Sequence, residues 1–211
     1  MQKAARWFAQ IALLALLVRT GAAADIPTSL GIYLSFDSAP AAASVDEMKH
    51  AVEGLLRPTG MTLAWRLISQ SSGTEVFSRL AVIRFKGSCE VEAPAPQNLF
   101  GSFGETHVLA TTAVTGGEVS PYTNVQCDEV RRVLAFVRHG AGVLERERAL
   151  GLALGRVVAH ELYHILADTG RHSSEGIAKA TQMLPDLVSG DDLRFDPSSA
   201  RAIEDRLKPK E

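Results

Sequence analysis

The sequence HELYH at residues 160–164 decides how this chain is interpreted. His160 and His164 are four positions apart, so on a helix they lie one above the other and can bind the same metal ion. Glu161 directly follows the first histidine, an arrangement in which a metal ion and a carboxylate share one water molecule. The motif therefore predicts a metal site with a general base beside it.

The residues before the motif are apolar on nearly every side of the predicted helix, which begins within residues 143–148 and ends at 166–167. A helix that is apolar all round is buried. Burying the three polar motif residues costs free energy unless they have partners, and a metal ion is the simplest one. The alternative is a core histidine pair with ordinary hydrogen bonds. Gly151 and Gly155 each cost about 1 kcal/mol relative to Ala in a helix, which predicts close packing against another element.

A zinc ion held by two helical histidines needs a third protein ligand and an open position for water. His172 is a candidate, because it follows shortly after Gly170, where the helix is expected to stop. Glycine readily adopts the left-handed conformation at a helix C-terminus. A chain that reverses at Gly170 returns His172 towards the metal, so the predicted ligands are His160, His164 and His172.

The motif and the segment after it resemble the zincin metallopeptidases, and more specifically a metzincin variant. The metzincin pattern is His-Glu-x-x-His-x-x-Gly-x-x-His, in which the third histidine comes six residues after the second, whereas His172 comes eight residues after His164 here. The chain is more similar to a set of small secreted bacterial proteins whose motif helix is followed by His-Ser-x-x-Gly-Ile-Met. The matching segment is HSSEGIA at 172–178, where Ala178 replaces the methionine. Met183 is a nearby candidate to replace that methionine beneath the metal.

This resemblance implies an α+β, zincin-like fold in which a mixed sheet accompanies a long active-site helix. It also implies a secreted zinc-dependent peptidase, specifically an endopeptidase, with Zn²⁺ as cofactor, Glu161 as general base and a peptide or protein as substrate. Glu175 competes with His172 as third ligand, since a second zincin class uses a glutamate. The alternative function is a catalytically inactive zinc-binding protein of the same fold that acts as a binding or regulatory module. The presence of Glu161 favours the enzyme, because a metal site needs only its ligands.

The first 24 residues are predicted to be a signal peptide, with an uncleaved signal anchor as the alternative. Lys3 and Arg6 form a basic start, residues 7–18 are an apolar run, and the alanines at 22–24 offer a cleavage site after Ala24. The apolar run is about 12 residues long, too short to cross a bilayer, which takes about 20. Residues 25–211 are then one zincin-like metallopeptidase domain, secreted or periplasmic.

The net charge and the cysteine content limit the classes of partner and of site that this protein can have. Without the three basic residues of the leader, the formal charge changes from −2 to −5, so there is no electrostatic reason to bind nucleic acid. No other segment is apolar enough for a stable membrane span, and the sequence makes no prediction of oligomeric state. Cys89 and Cys127 predict a disulfide in an exported protein; a Cys-Cys-His metal site is the alternative.

The remaining elements are predicted from periodicity and capping signals. Ser44 is the expected N-cap of a helix that ends near Arg57. An exposed strand at 105–112, which carries His107, is the expected pairing edge for an extended peptide. The other expected strands are 32–36, 61–69 and 80–85, and the other expected helices are 124–137 and a C-terminal helix capped by Ser198 or Ser199 that runs to Leu207.

Overall fold

The computed structural model describes residues 28–91, 108–135, 141–189 and 193–208. The predicted signal peptide and the segment 105–107, with His107, lie outside the described residues. The described chain contains strands β1 (Ser29–Phe36), β2 (Thr62–Leu67), β3 (Arg79–Lys86), β4 (Ala110–Thr115) and β5 (Glu118–Gln126), and helices α1 (Ala42–Leu56), α2 (Cys127–Leu134), α3 (Val143–Ala167), α4 (Leu184–Val188) and α5 (Pro197–Leu207). The predicted α+β class is confirmed.

The five strands form one mixed sheet in the order β2-β1-β3-β5-β4. All neighbours are parallel except β4, which is antiparallel to β5 and lies at the edge. Gly116 and Gly117 connect these two strands, and both have positive φ angles, 62° and 89°. A two-residue hairpin turn of this kind requires positive φ at both positions, and glycine adopts it without steric cost.

Helix α3 contacts α1 and strands β3, β4 and β5, and Ile32, Ile83 and Phe85 of the sheet are fully buried. The close packing predicted at Gly151 and Gly155 is confirmed. A Cβ atom at either glycine would collide with backbone oxygens of α1. The motif helix therefore lies against α1 on one side and the sheet on the other, and its position is fixed by packing along most of its length.

Three expectations about helix ends are wrong. Helix α1 begins after Ala41, and the hydroxyl of Ser44 donates across to the carbonyl oxygen of Glu147 at 3.0 Å, because Ser44 faces α3. Helix α2 begins only at Cys127, since residues 118–126 pair as strand β5. The N-cap of α5 is Asp196, whose carboxylate accepts from the backbone of the two serines that follow Pro197.

The predicted strand at 105–112 is displaced, because β4 runs from Ala110 to Thr115. The other predicted strands and the bounds of the motif helix agree with the structure to within three residues. Cys89 and Cys127 form the predicted disulfide, with Cα atoms 5.0 Å apart, which excludes a Cys-Cys-His metal site. Within the described segments, no helix has both the length and the apolar character to cross a membrane.

Candidate metal centre

His160 and His164 present their Nε2 atoms to each other from successive turns of α3. The two nitrogens are 3.1 Å apart, and the two residues are 8 % and 7 % exposed. Their burial follows from the packing of α3 between α1 and the sheet. The helical spacing thus brings two imidazole nitrogens together, as the sequence predicts.

The other ring nitrogen of each histidine is held by a backbone carbonyl. Nδ1 of His160 lies 2.8 Å from the oxygen of Ile177, and Nδ1 of His164 lies 2.7 Å from the oxygen of Thr169. A carbonyl oxygen can only accept, so each Nδ1 carries the proton and each neutral ring has its lone pair on Nε2. Such bonds set the tautomer and orientation of metal-binding histidines in general.

Two Nε2 lone pairs at 3.1 Å repel each other unless a cation lies between them. An ion that binds imidazole nitrogen at about 2.1 Å in tetrahedral geometry, as zinc does, holds two such nitrogens about 3.4 Å apart. The observed separation is close to this value. Burial also lowers the pKa of His160 to about 4, and the neighbouring His164 and His172 act in the same direction, whereas the hydrogen bond that His160 donates to the carbonyl of Ile177 raises this pKa. The donors therefore fit a metal ion.

His172 completes the group. Its ring centroid is 5.3 Å from that of His160 and 4.8 Å from that of His164. One ligand nitrogen from each of the three residues lies within 4.8 Å of the others. His172 is exposed, which places it on the solvent side of the two buried histidines. We call His160, His164 and His172 the three-histidine cluster; its imidazole donors suit first-row transition ions such as zinc, copper or nickel.

Glu175 is also exposed, and it is not part of a metal-competent group among the described residues. Its backbone N–H lies 3.5 Å from the hydroxyl of Ser173, within the loop that follows His172. Of the two candidates for a third ligand, the structure brings His172 to the other histidines and leaves Glu175 outside.

The chain reverses after α3 at Asp168, and the predicted reversal at Gly170 is wrong. Asp168 has the left-handed conformation, with φ 48° and ψ 56°. One oxygen of its carboxylate accepts from the backbone N–H of Val119 at 3.2 Å, and the other pairs with Arg206 at 3.2 Å. These tertiary partners hold a conformation that is otherwise unfavourable outside glycine, though Asp tolerates it better than most residues.

The loop from Ser173 to Lys179 positions the carbonyl of Ile177 beneath His160. The N–H of Ser173 donates to the oxygen of Ala178 at 2.9 Å, and the N–H of Ile177 donates to the oxygen of Arg194 at 2.9 Å. Ile177 and Ala178 are fully buried. Met183 is 61 % exposed, so it does not fit the role of a buried methionine under the site.

Glu161 is 6 % exposed and receives a hydrogen bond from β4. The hydroxyl of Thr112 donates to Oε2 of Glu161 at 2.5 Å, and Thr112 is in turn hydrogen-bonded to Thr123 on β5. Burial raises the pKa of Glu161, while the hydrogen bond from Thr112 and the electrostatic interaction with His164 oppose this effect. The carboxyl group thus lies beside the three-histidine cluster in a setting that favours accepting a proton.

Thr112 and Thr123 belong to the candidate site through these hydrogen bonds, and the sequence alone does not identify them. The only sequence signal is the Gly116-Gly117 turn, which pairs the strands on either side of it. The neighbouring Tyr122 also lies on β5 but faces away from Thr123, with its ring 6.0 Å from the guanidinium carbon of Arg84.

No protein-family model matches this chain, and no curated protein matches it. The chemistry of the site is therefore inferred from its own residues. Three imidazole nitrogens can hold a transition-metal ion, and a buried carboxyl group beside them can accept and return a proton.

Proposed function

We propose that this protein is a secreted zinc-dependent peptidase with a zincin-like fold. In this proposal the three-histidine cluster holds zinc and Glu161 is the general base. One observation carries the proposal: two carbonyl-oriented histidines point their lone pairs at one position, next to a buried carboxylate on the same helix. A protein that only stores or senses a metal needs the ligands but not the buried carboxylate, whose desolvation is costly.

When bound, zinc supplies a Lewis acid that acidifies water and polarises the scissile carbonyl. The protein's own contribution comes from Glu161. Its carboxylate accepts a proton from the attacking water and delivers that proton to the departing amine, as one group acting first as base and then as acid. The raised pKa of Glu161 suits the first half of this transfer, because a stronger base accepts the proton more readily.

Strand β4 supports a peptide as the substrate. It is the last strand of the sheet order, so one of its hydrogen-bonding edges has no partner strand among the described residues. An extended peptide can add to such an edge through backbone hydrogen bonds. Thr112 of β4 touches Glu161, so a peptide on this edge lies next to the base. The described part of β4 replaces the predicted 105–112 as the pairing segment.

The experiment measures bound zinc and then the cleavage of casein and of a peptide library. The wild-type protein is expected to bind one zinc ion and to cleave peptides. Glu161→Gln is expected to keep zinc but lose at least about 100-fold in rate, the lower range for general acid–base catalysis. Glu204→Gln, on the exposed surface of α5, is the matched control and is expected to cleave normally. Stoichiometric zinc without cleavage that depends on Glu161 contradicts the peptidase proposal and favours the inactive binding module.

A further inference from the structure

A chain of hydroxyl groups leads from the interior of the sheet to the proposed base. Thr112 donates to Oε2 of Glu161, and the hydroxyls of Thr112 and Thr123 are hydrogen-bonded to each other. An ionised carboxylate only accepts, so the single proton of Thr112 is directed at Glu161. The hydroxyl of Thr123 must then be the donor to Thr112. The chain therefore has one direction, from Thr123 through Thr112 to Glu161.

The fold fixes both threonines with respect to α3. They are directly opposite each other in the antiparallel β4–β5 pair. Thr123 is fully buried, so its hydroxyl has no competing water. The strand pairing becomes irregular between Thr112 and Val114, and such irregularities re-aim side chains next to functional sites. Thr112 thus reaches across to α3 from a well-defined position at the sheet edge.

Only one oxygen of Glu161 is engaged by the described residues. Oε2 accepts from Thr112, whereas Oε1 takes part in no hydrogen bond with them. A carboxylate that rotates freely presents either oxygen to a water molecule. Catalysis by proton transfer requires a fixed geometry of about hydrogen-bond length between base and water.

We propose that Thr112 is a positioning residue for Glu161. Its hydroxyl holds Oε2, which leaves Oε1 as the oxygen that accepts the proton from the attacking water. Thr123 keeps the proton of Thr112 directed at the carboxylate. The catalytic part of this inference rests on the proposed peptidase function, but the hydrogen bond itself does not.

The test compares Thr112→Val, which keeps the shape and removes the hydroxyl, with Thr112→Ser, which keeps the hydroxyl. Thr62→Val, at the opposite edge of the sheet on β2, is the matched control. We expect Thr112→Val to lower kcat about 10- to 100-fold with KM within about twofold, as for loss of alignment in proton transfer. Thr112→Ser restores most of kcat, and Thr62→Val equals the wild type.

A second measurement does not depend on activity. In protein with ¹³C-labelled glutamate side chains, the carboxyl signal of Glu161 is assigned by its disappearance in Glu161→Gln. At one fixed pH with zinc bound, the chemical shift of that signal is expected to differ from the wild type in Thr112→Val. In Thr112→Ser and in Thr62→Val it is expected to match the wild type. Zinc stoichiometry is expected to be unchanged in all three.

Each outcome decides the inference. An unchanged Glu161 signal together with an unchanged kcat in Thr112→Val overturns it, and so does a loss that Thr112→Ser fails to restore. If the wild-type protein cleaves no peptide, the proposed function fails while the ¹³C signal still decides whether Thr112 holds Glu161. If Thr112→Val does not fold, Thr123→Val replaces it: a moved signal supports the chain of hydroxyls, and an unmoved one contradicts it.

Discussion

The carbonyl oxygen of Thr169 lies 2.7 Å from Nδ1 of His164, and the N–H of Thr169 donates back to the carbonyl oxygen of His164 at 3.1 Å. The same residue thus ends the helix and orients one ring of the three-histidine cluster. Thr169 reaches this position because Asp168, immediately before it, has the left-handed conformation. The geometry of His164 therefore depends on a backbone reversal outside the motif.

Replacing Asp168 by alanine is expected to weaken metal binding without touching a ligand. Alanine in a left-handed conformation costs about 1 kcal/mol, and the acceptor for the N–H of Val119 is lost as well. Zinc affinity, measured by competition with a chelator, is expected to fall about 10-fold or more, as for the loss of groups that orient ligands. Asp168→Asn tolerates the left-handed conformation and keeps an acceptor, so it serves as the control.

The ion pair between Asp168 and Arg206 contributes little to this effect. The side chain of Asp168 is 35 % exposed and that of Arg206 is 46 % exposed. Ion pairs between exposed side chains stabilise a fold by about 0–1 kcal/mol. Arg206→Gln is therefore expected to leave zinc affinity within about threefold of the wild type. A loss in Arg206→Gln as large as in Asp168→Ala would assign the effect to the charge and not to the backbone reversal.

The identity of the third ligand is tested by a pair of alanine variants. His172→Ala is expected to lower zinc affinity more than about 100-fold, because even groups that only orient ligands account for 10- to 100-fold. Glu175→Ala is expected to keep full affinity, since Glu175 lies outside the three-histidine cluster. Chelator competition on both proteins gives the answer, and the reverse pattern would show that Glu175 is the ligand.

The parts of the site that sequence predicts are those set by local geometry. His160 and His164 meet because residues four apart share a helix face. Gly151 and Gly155 show where α1 approaches, because nothing larger fits there. His172 is close enough along the chain to return after a single reversal. Each of these inferences needs only the pattern within a short segment.

Contacts between distant segments are not predictable in this way. Thr112 is 49 residues from Glu161 and 11 from Thr123, and nothing in a threonine pair at 111–112 indicates a buried acceptor. The reversal at Asp168 is not predictable from local sequence either, because Gly170 is the better local candidate for a left-handed residue. Asp168 adopts the left-handed conformation where Val119 and Arg206, both distant in sequence, bind its carboxylate.

Zinc is expected to stabilise the folded protein, because the cluster forms only when α3 and the following loop are in place. At a zinc concentration 100 times its Kd, the gain in the free energy of unfolding is about 2.7 kcal/mol. Thermal unfolding with zinc and with chelator measures it. The shift is expected to vanish in His164→Ala and to persist in His50→Ala, an exposed histidine on α1. An equal shift in both variants would mean that zinc binds elsewhere.

Asp196 links α5 to the loop that carries His172, and its charge is expected to stabilise the fold in a pH-dependent manner. Burial alone raises the pKa of Asp196, but hydrogen bonds from Ser198, Ser199 and Ser173 outweigh it, so the pKa is well below its usual value of 3.8. A carboxylate with a lowered folded pKa stabilises the protein above the unfolded pKa and loses that contribution as pH falls through the folded pKa. The helix cap itself contributes about 1 kcal/mol.

Urea unfolding of wild type, Asp196→Asn and Asp196→Ala at several pH values separates two contributions of Asp196 to the free energy of unfolding, that of the helix cap and that of the charge. Asparagine caps helices about as well as aspartate, so Asp196→Asn isolates the charge. The free energy of unfolding of Asp196→Asn is expected to be lower than that of the wild type by a constant amount at neutral pH. This difference is expected to shrink as pH falls below about 3.8. Asp196→Ala is expected to lose about 1 kcal/mol more than Asp196→Asn at every pH, because alanine offers no acceptor to Ser198 and Ser199. A deficit of Asp196→Asn that grows on acidification would contradict the lowered pKa.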